Sequence, residues 1–282
     1  MKRDIKASVT DKFIWIFLIV SLAAGAGFFC AGLLPWQAAL SGLGAFVLLN
    51  LLFVVFWVIV ASTVDDTKPI EKQKPIYRFG CASCARWILA WCGVRPHLSG
   101  EALLPQEGRF LLVCNHRSGF DPIVTYPALY KYNVSFISKP ENLKLPFIGP
   151  LAYGAGFLPI NRENDREALK SILLAANYMK QDFCSMCVYP EGTRSKHNSL
   201  LPFHAGSFKI AQRANAPLVI AAIRGSDQVK GHFLRRPKHV YLDILECVPV
   251  EKVKAASTQE LAAHSRALIS EHLGLPLEEE TA

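Results

Sequence analysis

The chain has 282 residues, of which 51% are hydrophobic, and it carries a net charge of +8. Residues 13 to 64 contain no Asp, Glu, Lys or Arg, which argues against a chain that is soluble throughout. The remaining residues suffice for one domain with its own core. The modest positive excess suits anionic lipid headgroups or a phosphorylated ligand. Beside so long an apolar segment, we predict no nucleic-acid partner.

The uncharged segment divides into two spans, residues 13–36 and 38–62, with a break at residues 34–37. Each span is long enough to cross a bilayer as a helix. Small residues recur at helix-packing spacing in both spans, namely Ala23 with Gly27 and Ser41 with Ala45. We therefore predict an N-terminal membrane helical hairpin.

Basic residues lie on both outer flanks of this hairpin, and none lies in the break. They are Lys2, Arg3, Lys6 and Lys12 before it, and Lys68, Lys72, Lys74 and Arg78 after it. Because Lys and Arg favour the cytoplasmic side, both ends are predicted to be cytoplasmic. A hairpin that dips into one leaflet is the alternative. We expect an integral membrane protein, in the plasma (inner) membrane if bacterial, with its folded domain in the cytoplasm.

Three regions follow from this pattern: an anchor over residues 1–64, a connector over 65–100, and a folded domain over 101–282. The connector contains a helix-like stretch, residues 77–94, that can lie at the membrane interface. Strand-like runs follow at residues 110–113, 134–137, 157–160, 184–189, 218–223 and 240–247, with helix-like stretches at 163–180, 206–215 and 257–273. This alternation predicts an α/β domain with a mixed, largely parallel sheet flanked by helices.

His116 and Asp121 lie on a predicted connection from a strand to a helix. The strand is residues 110–113, and the helix starts at Asp121 and Pro122, with Asp121 as N-cap. A carboxylate beside one ring nitrogen of a histidine lets the other nitrogen act as a general base. The alternative is a His that ends a strand and an Asp that caps a helix. No Gly-x-Ser-x-Gly motif occurs, which disfavours a serine hydrolase.

Two further strand ends carry arginines. Arg162 follows the run at 157–160, and Arg194 follows Glu191 and a turn at Gly192. The guanidinium fork matches phosphate oxygens, so these residues predict a pocket for a phosphorylated polyol. The alternative is that each arginine pairs with a nearby surface carboxylate, such as Glu163 or Glu191.

Together these motifs resemble those of the glycerolipid acyltransferases, the 1-acyl-glycerol-3-phosphate acyltransferase group. Asn115-His116-x-Ser118-x-x-Asp121 is similar to the first motif, Gly156-x-x-x-Ile160-x-Arg162 to the second, and Glu191-Gly192-Thr193-Arg194 to the third. The resemblance implies that His116 is the base and Asp121 its partner. It also implies that the acceptor is bound by Asn115, Ser118, Gly156, Arg162, Glu191, Gly192, Thr193 and Arg194.

The resemblance further implies acyl transfer from a thioester to the free hydroxyl of 1-acyl-sn-glycerol 3-phosphate, which gives phosphatidic acid. The donor would be acyl-CoA or acyl carrier protein, and no cofactor is expected. Expected partners are the lysophospholipid acceptor, the donor and membrane phospholipids. The alternatives are transfer to glycerol 3-phosphate or to another lysophospholipid, and, in a different class, a non-catalytic membrane protein that binds lysolipid.

Cysteine spacing in two places is typical of a zinc knuckle: Cys81-x-x-Cys84 and Cys184-x-x-Cys187. Cys184 and Cys187 fall on a predicted strand, where residues three apart face opposite sides. We therefore predict no metal site. The absence of a secretory cleavage pattern favours reduced thiols in a cytosolic domain.

Overall fold

The computed structural model describes residues 3–4, 11–68, 70, 73–161, 164–195, 198–229 and 237–278. The helices are α1 (Asp11–Cys30), α2 (Pro35–Ala61), α3 (Pro75–Trp91), α4 (Asp121–Ala128), α5 (Pro140–Leu143), α6 (Ile148–Gly154), α7 (Asp165–Lys180), α8 (Lys209–Ala214), α9 (Val250–Ala255) and α10 (Thr258–Leu273). The strands are β1 (Arg3–Asp4), β2 (Val94–Ser99), β3 (Leu111–Cys114), β4 (Val134–Ser138), β5 (Leu158–Pro159), β6 (Ser185–Val188), β7 (Leu218–Arg224) and β8 (Lys238–Val248).

Within the described residues, the eight strands form one sheet in the order β1-β2-β8-β7-β3-β6-β4-β5. The pairs β1–β2 and β7–β8 are antiparallel, and the other neighbouring strands are parallel. The predicted mixed, largely parallel sheet is therefore confirmed. The carboxyl ends of β3, β4, β6 and β7 meet at one edge, which is where α/β folds bind ligands.

The alternation of side chains along β3 separates two hydrophobic cores. Leu112 and Cys114 face the core formed with α3, α4 and α6. Leu111 and Val113 face the core formed with α7, α8 and α10. Because a strand buried on both faces reads as a continuous apolar run, such a run was the correct signal for a central strand.

The N-terminal segment forms the predicted helical hairpin of α1 and α2, with corrected details. Pro35 is the first residue of α2 rather than part of the turn, because its missing N–H costs nothing at a helix start. By length and composition α2 is able to cross a membrane, and the described side chains of α1 form a shorter apolar helix from Ile16 to Cys30.

The small residues at the contact between α1 and α2 are Gly25 and Gly42, and not the predicted Ala23 and Gly27. A Cβ on Gly25 would lie 3.0 Å from the Ala38 carbonyl oxygen, whereas a Cβ on Gly27 would meet nothing within 4 Å. A Cβ on Gly42 would lie 3.0 Å from the Ser21 carbonyl oxygen. The predicted spacing of four residues between small residues is present in both helices, as Ser21 with Gly25 and Ala38 with Gly42. The contact lies on a different face from the predicted one, because small residues occur at this spacing on more than one face of an apolar helix.

α3 joins the hairpin to the sheet domain. Its Gly80 lies under the buried ring of Trp57, and its Trp87 indole donates a 3.0 Å hydrogen bond to Asn50 Oδ1 of α2. Further along, Trp91 packs on Phe46, with ring centroids 5.9 Å apart. β2, which falls inside the predicted connector of residues 65–100, pairs with β8 along its whole length. The sheet therefore begins before residue 101.

We expect Gly80→Ala to destabilise the docking of the hairpin, because the added Cβ would lie 2.6 Å from the Trp57 ring. Overpacking of this kind costs roughly 1–3 kcal/mol. Gly44→Ala on α2, where a Cβ meets nothing within 4 Å, is the matched control and should be neutral or slightly stabilising. Thermal unfolding of both variants in detergent measures the difference. Equal stability of the two would contradict the packing described.

Candidate active site

The loop between β3 and α4 places a buried carboxylate at its centre. Asp121 Oδ2 accepts hydrogen bonds from His116 Nδ1 at 2.7 Å, the Arg117 N–H at 2.7 Å and the Ser118 N–H at 2.8 Å. The predicted meeting of His116 and Asp121 is confirmed. Asp121 is not the N-cap, however. That position is Phe120, and the Asp121 side chain turns back into the loop.

Tyr189 packs against one face of the His116 ring. The two rings stack with centroids 4.4 Å apart and planes at 18°. With Nδ1–H committed to Asp121, Nε2 is the basic nitrogen of the neutral ring. The structure gives Nε2 no hydrogen-bond partner among the residues it describes, and the His116 side chain is 20% exposed. Nε2 is therefore available to take a proton from a group in the adjoining cavity.

Glu191 supports the histidine loop from the end of β6. Its Oε1 accepts the His116 N–H at 2.5 Å, and its Oε2 accepts the Leu201 N–H at 3.1 Å. Burial raises the pKa of this carboxyl to about 7. The side chain does not line the cavity. Glu191 of the third motif therefore bonds the backbone of the first motif at His116.

Three other predicted acceptor-binding residues also serve the scaffold. Both ends of the Asn115 amide bond the backbone of Ile223 on β7, at 2.8 and 3.0 Å. Ser118 Oγ accepts the Phe120 N–H at 3.3 Å within the loop. Gly156 adopts φ +91°, a conformation that glycine readily takes, and does not line the cavity. Asn115, Ser118 and Gly156 are therefore not part of the lining of the cavity beside His116.

Gly192, Thr193 and Arg194 do line that cavity with His116. Gly192 turns the chain at φ +75° after β6. The Arg194 guanidinium lies over Gly119, 3.8 Å from where a Cβ would stand. Among the described residues, Arg194 has no ion pair or hydrogen bond, so its charge is available to an anion. Arg162, the other predicted phosphate contact, lies outside the residues that the structure describes.

The cavity has a volume of about 340 Å³ and a mixed lining. Its polar lining includes His116, Thr193, Arg194 and Lys139. Its apolar lining comes largely from α3, α4 and α6 and the strands beside them, and it includes Cys81, Ala85, Ile88, Ile123, Phe136, Leu143, Ile148 and Phe157. This combination suits an amphiphilic ligand with an anionic head and an acyl chain.

The sequence favours a solvated loop position for Lys139 over a phosphate contact and gives Tyr189 no role, yet both side chains line the cavity. Lys139 directly follows β4, and Tyr189 directly follows β6. Both therefore obey the rule that strand carboxyl ends form the site, which was the signal available for finding them.

Cys184 and Cys187 face opposite sides of the sheet, as the strand pattern predicted. Cys184 belongs to the core on the α7 side, and Cys187 to the core on the α3 side. In the part of the chain that the structure describes, no group of three or more His, Cys, Asp or Glu side chains is placed to hold a metal ion.

At one sheet edge the site combines a fixed His–Asp pair, an arginine without a partner among the described residues, and a cavity with an apolar lining, an arrangement that suits a group-transfer enzyme with a general base. Residues 95–224 match the profile of the family described as Acyltransferase. The 1-acyl-sn-glycerol-3-phosphate acyltransferase of Salmonella typhimurium is 31% identical over 167 residues, which is 59% of this chain and 67% of the relative. The Escherichia coli enzyme of the same name is 29% identical with the same coverage. The chain belongs to this acyltransferase family.

The crystal structure of a 1-acyl-sn-glycerophosphate acyltransferase from Thermotoga maritima has the same fold. It superimposes with a TM-score of 0.62 over 79% of this chain and 88% of that chain, at 20% identity. At that identity the likeness concerns the fold. The matched segment spans between 62% and 67% of the length of the relatives from Caenorhabditis elegans, Salmonella and Escherichia coli.

The raised pKa of Glu191 predicts a pH dependence of stability. Between its ordinary value of 4.5 and about 7, the unfolded carboxyl is ionised while the folded one keeps its proton. The contribution of Glu191 to the free energy of unfolding is therefore fully present below pH 4.5. It is lost as the pH rises through 7, and the total loss is about 3 kcal/mol. Glu191→Gln should remove this dependence, whatever its effect on absolute stability.

Denaturant unfolding at several pH values from 4.5 to 8 measures this dependence. Glu141→Gln, an exposed glutamate on α5, is the control and should keep the wild-type slope. A Glu191→Gln profile that follows the wild type would refute the prediction.

Proposed function

We propose that this protein transfers an acyl group from a thioester donor to the free hydroxyl of 1-acyl-sn-glycerol 3-phosphate, giving phosphatidic acid. The observation that carries the proposal is one cavity shared by a base and an anion site. His116 and Arg194 both line it, and neither Nε2 of His116 nor the Arg194 guanidinium has a hydrogen-bond partner among the residues that the structure describes. We infer the acceptor from the relatives, which are 1-acyl-sn-glycerol-3-phosphate acyltransferases. We infer the roles of His116 and Arg194 from their positions in the cavity.

The reaction needs one proton acceptor and no covalent enzyme intermediate, because the thioester is already activated. Nε2 of His116 takes the proton of the acceptor hydroxyl as its oxygen attacks the thioester carbonyl carbon. The tetrahedral intermediate then collapses, the C–S bond breaks, and the leaving thiolate takes the proton from the imidazolium. Asp121 stabilises that imidazolium through the 2.7 Å bond to Nδ1.

Recognition of the acceptor divides between the polar and the apolar lining of the cavity. Arg194 presents guanidinium N–H groups to the phosphate, and Lys139, which lines the same cavity, adds positive charge. An acyl chain occupies the apolar space beside α3, α4 and α6. Glycerol 3-phosphate lacks that chain and would leave the apolar space empty, which favours the lysophospholipid as acceptor. A donor of either kind, acyl-CoA or acyl carrier protein, supplies the same thioester.

The hairpin anchors this site to a membrane, and its packing favours insertion into one leaflet. α3 covers α2 from Trp57 back to Phe46. The part of α2 beyond that contact is about 11 residues, or roughly 17 Å at 1.5 Å per residue, against a hydrocarbon core of about 30 Å. Many side chains on the uncovered surface of α2 are large, apolar and exposed, which suits lipid contact.

Two variants should separate the base from the anion site. His116→Ala removes the proton acceptor, so turnover should fall roughly 10²- to 10⁴-fold while lysophosphatidic acid still binds. Arg194→Ala removes a charge-assisted contact worth roughly 1.5–3 kcal/mol, so apparent affinity should weaken about 10- to 150-fold. Steady-state kinetics with a panel of acceptors and both donors, together with direct binding of lysophosphatidic acid, measures both effects.

Arg194→Lys is the conservative control and should recover part of the affinity, because an ammonium cannot form the two-pronged contact. Near-normal turnover in His116→Ala would show that the catalytic assignment is wrong. Lysolipid binding without acyl transfer in the wild type would favour the non-catalytic alternative.

Single-leaflet insertion predicts that Cys30, at the end of α1, is buried in lipid. Cys30 is exposed on the protein surface and therefore serves as a natural probe. In sealed membranes it should resist a membrane-impermeant maleimide from both sides and react after detergent is added. Cys30→Ser identifies the labelled site, and Glu141→Cys on the domain reports the accessible side. Labelling of Cys30 from the side opposite the domain would mean that the hairpin crosses the bilayer.

A further inference from the structure

The aromatic ring of Tyr189 touches the general base directly and has no part in the proposed mechanism. Tyr189 follows β6, and its ring lies nearly parallel to the His116 ring, with centroids 4.4 Å apart and planes at 18°. Tyr189 is 6% exposed and the His116 side chain is 20% exposed, so little water screens the pair. An aromatic face within about 6 Å of a cation attracts it through the ring quadrupole, most strongly where water is excluded.

Neighbouring side chains hold the Tyr189 ring in this position. Phe136 of β4 stacks on Tyr189 with centroids 6.1 Å apart, and Phe157 packs on Phe136 at 5.2 Å. The Tyr189 hydroxyl is buried beside Thr125 of α4, without a hydrogen bond of normal geometry to any described residue. Burial raises the pKa of Tyr189 well above its ordinary value. The ring that faces His116 is therefore a neutral phenol at the pH of catalysis.

The charges around His116 act on its protonated form in opposite directions. Asp121 accepts the Nδ1–H at 2.7 Å and favours the imidazolium. Arg117 is the next residue in the chain, and Arg194 and Lys139 line the same cavity as the ring. These three cations disfavour a further positive charge at His116. An attraction at the ring face therefore adds to that of Asp121 and opposes the cations.

The remaining titratable groups beside the His–Asp pair are buried. Burial raises the pKa values of the Cys114 and Cys187 thiols well above their ordinary range, so both thiols stay neutral. Burial raises the pKa of Glu191 to about 7, so this carboxyl changes its charge in the range where a histidine titrates. A test of the ring contact therefore has to compare variants that all retain Glu191.

We propose that Tyr189 is a positioning residue that stabilises the imidazolium of His116 by a cation–π contact during acyl transfer. When Nε2 takes the proton of the acceptor hydroxyl, the ring acquires a positive charge 4.4 Å from the aromatic centroid. The contact strengthens at that moment, because the ring quadrupole attracts a cation more than a neutral imidazole. The part in turnover rests on the proposed function, whereas the effect on the protonation of His116 does not.

Stepwise fluorination of the ring tests this contact while keeping the shape of the side chain. Fluorine withdraws electron density from the ring face and is close to hydrogen in size, so the quadrupole weakens at each step. Position 189 of the full-length protein is replaced by phenylalanine and by its mono-, di- and trifluorinated forms. The matched control is the same series at Tyr178 of α7, which stacks on Phe183 with centroids 4.4 Å apart and planes at 24°. That pair lies on the other side of the sheet and contains no histidine.

Two quantities should fall together along the series at position 189. From phenylalanine to trifluorophenylalanine, kcat should decrease roughly 2- to 30-fold in steady-state acyl transfer. The pH midpoint for protonation of His116 should decrease by roughly 0.4 to 1.5 pH units, because a less stabilised imidazolium loses its proton at lower pH. NMR of ring-labelled histidine measures this midpoint, and the resonance is identified by its loss in His116→Gln. Neither quantity should change along the series at Tyr178.

Each other outcome contradicts the proposal. A constant kcat and a constant midpoint would show that the ring serves packing alone. A fall in kcat at a constant midpoint would mean that the ring acts through geometry without a cation–π contact. A falling midpoint at constant kcat would remove the contact from the reaction. Tyr189→Leu has no aromatic face, so a Leu variant with the kcat and midpoint of the phenylalanine variant would also overturn the proposal. Absence of acyl transfer in the wild type would refute the proposed function, and the NMR series would still decide whether the contact exists.

Discussion

One carboxylate oxygen organises the site. Asp121 Oδ2 accepts the N–H groups of two consecutive loop residues and Nδ1–H of His116. Three donors on one buried charged acceptor make strong bonds, since charge-assisted bonds exceed neutral ones. The same contact fixes the loop, the tautomer of the histidine and the start of α4. A change at Asp121 therefore alters geometry and chemistry together, and the stacked Tyr189 ring limits what remains of the imidazole's freedom.

The site is also braced from the C-terminal end of the chain. Arg266 on α10 donates to the carbonyls of Leu200 and Leu201, at 2.8 and 2.9 Å, and also to the carbonyl of Glu278. The Leu201 N–H in turn bonds Glu191, which holds the His116 N–H. A series of hydrogen bonds thus connects the last described residues with the loop between β3 and α4.

The family motifs therefore combine two kinds of residue. His116 and Arg194 present groups to the cavity, whereas Asn115 and Glu191 bond the backbone that places them. Buried polar groups cost free energy unless they are paired, so these scaffold residues use their hydrogen bonds fully inside the protein. Their substitution should impair the site through its geometry, which a list of motif residues alone does not reveal.

From the sequence alone, the α/β class, the hairpin, most strand positions and the pairing of His116 with Asp121 were predictable. These features depend on apolar runs, residue period and short-range turn chemistry, which are local properties of the chain. Only the tertiary structure decided that the Asn115 amide bonds the backbone of Ile223, that Tyr189 stacks on His116, and that α1 and α2 meet at Gly25. Each of these contacts depends on which residue, distant in sequence, packs against the one in question. The local sequence around a residue does not determine that partner.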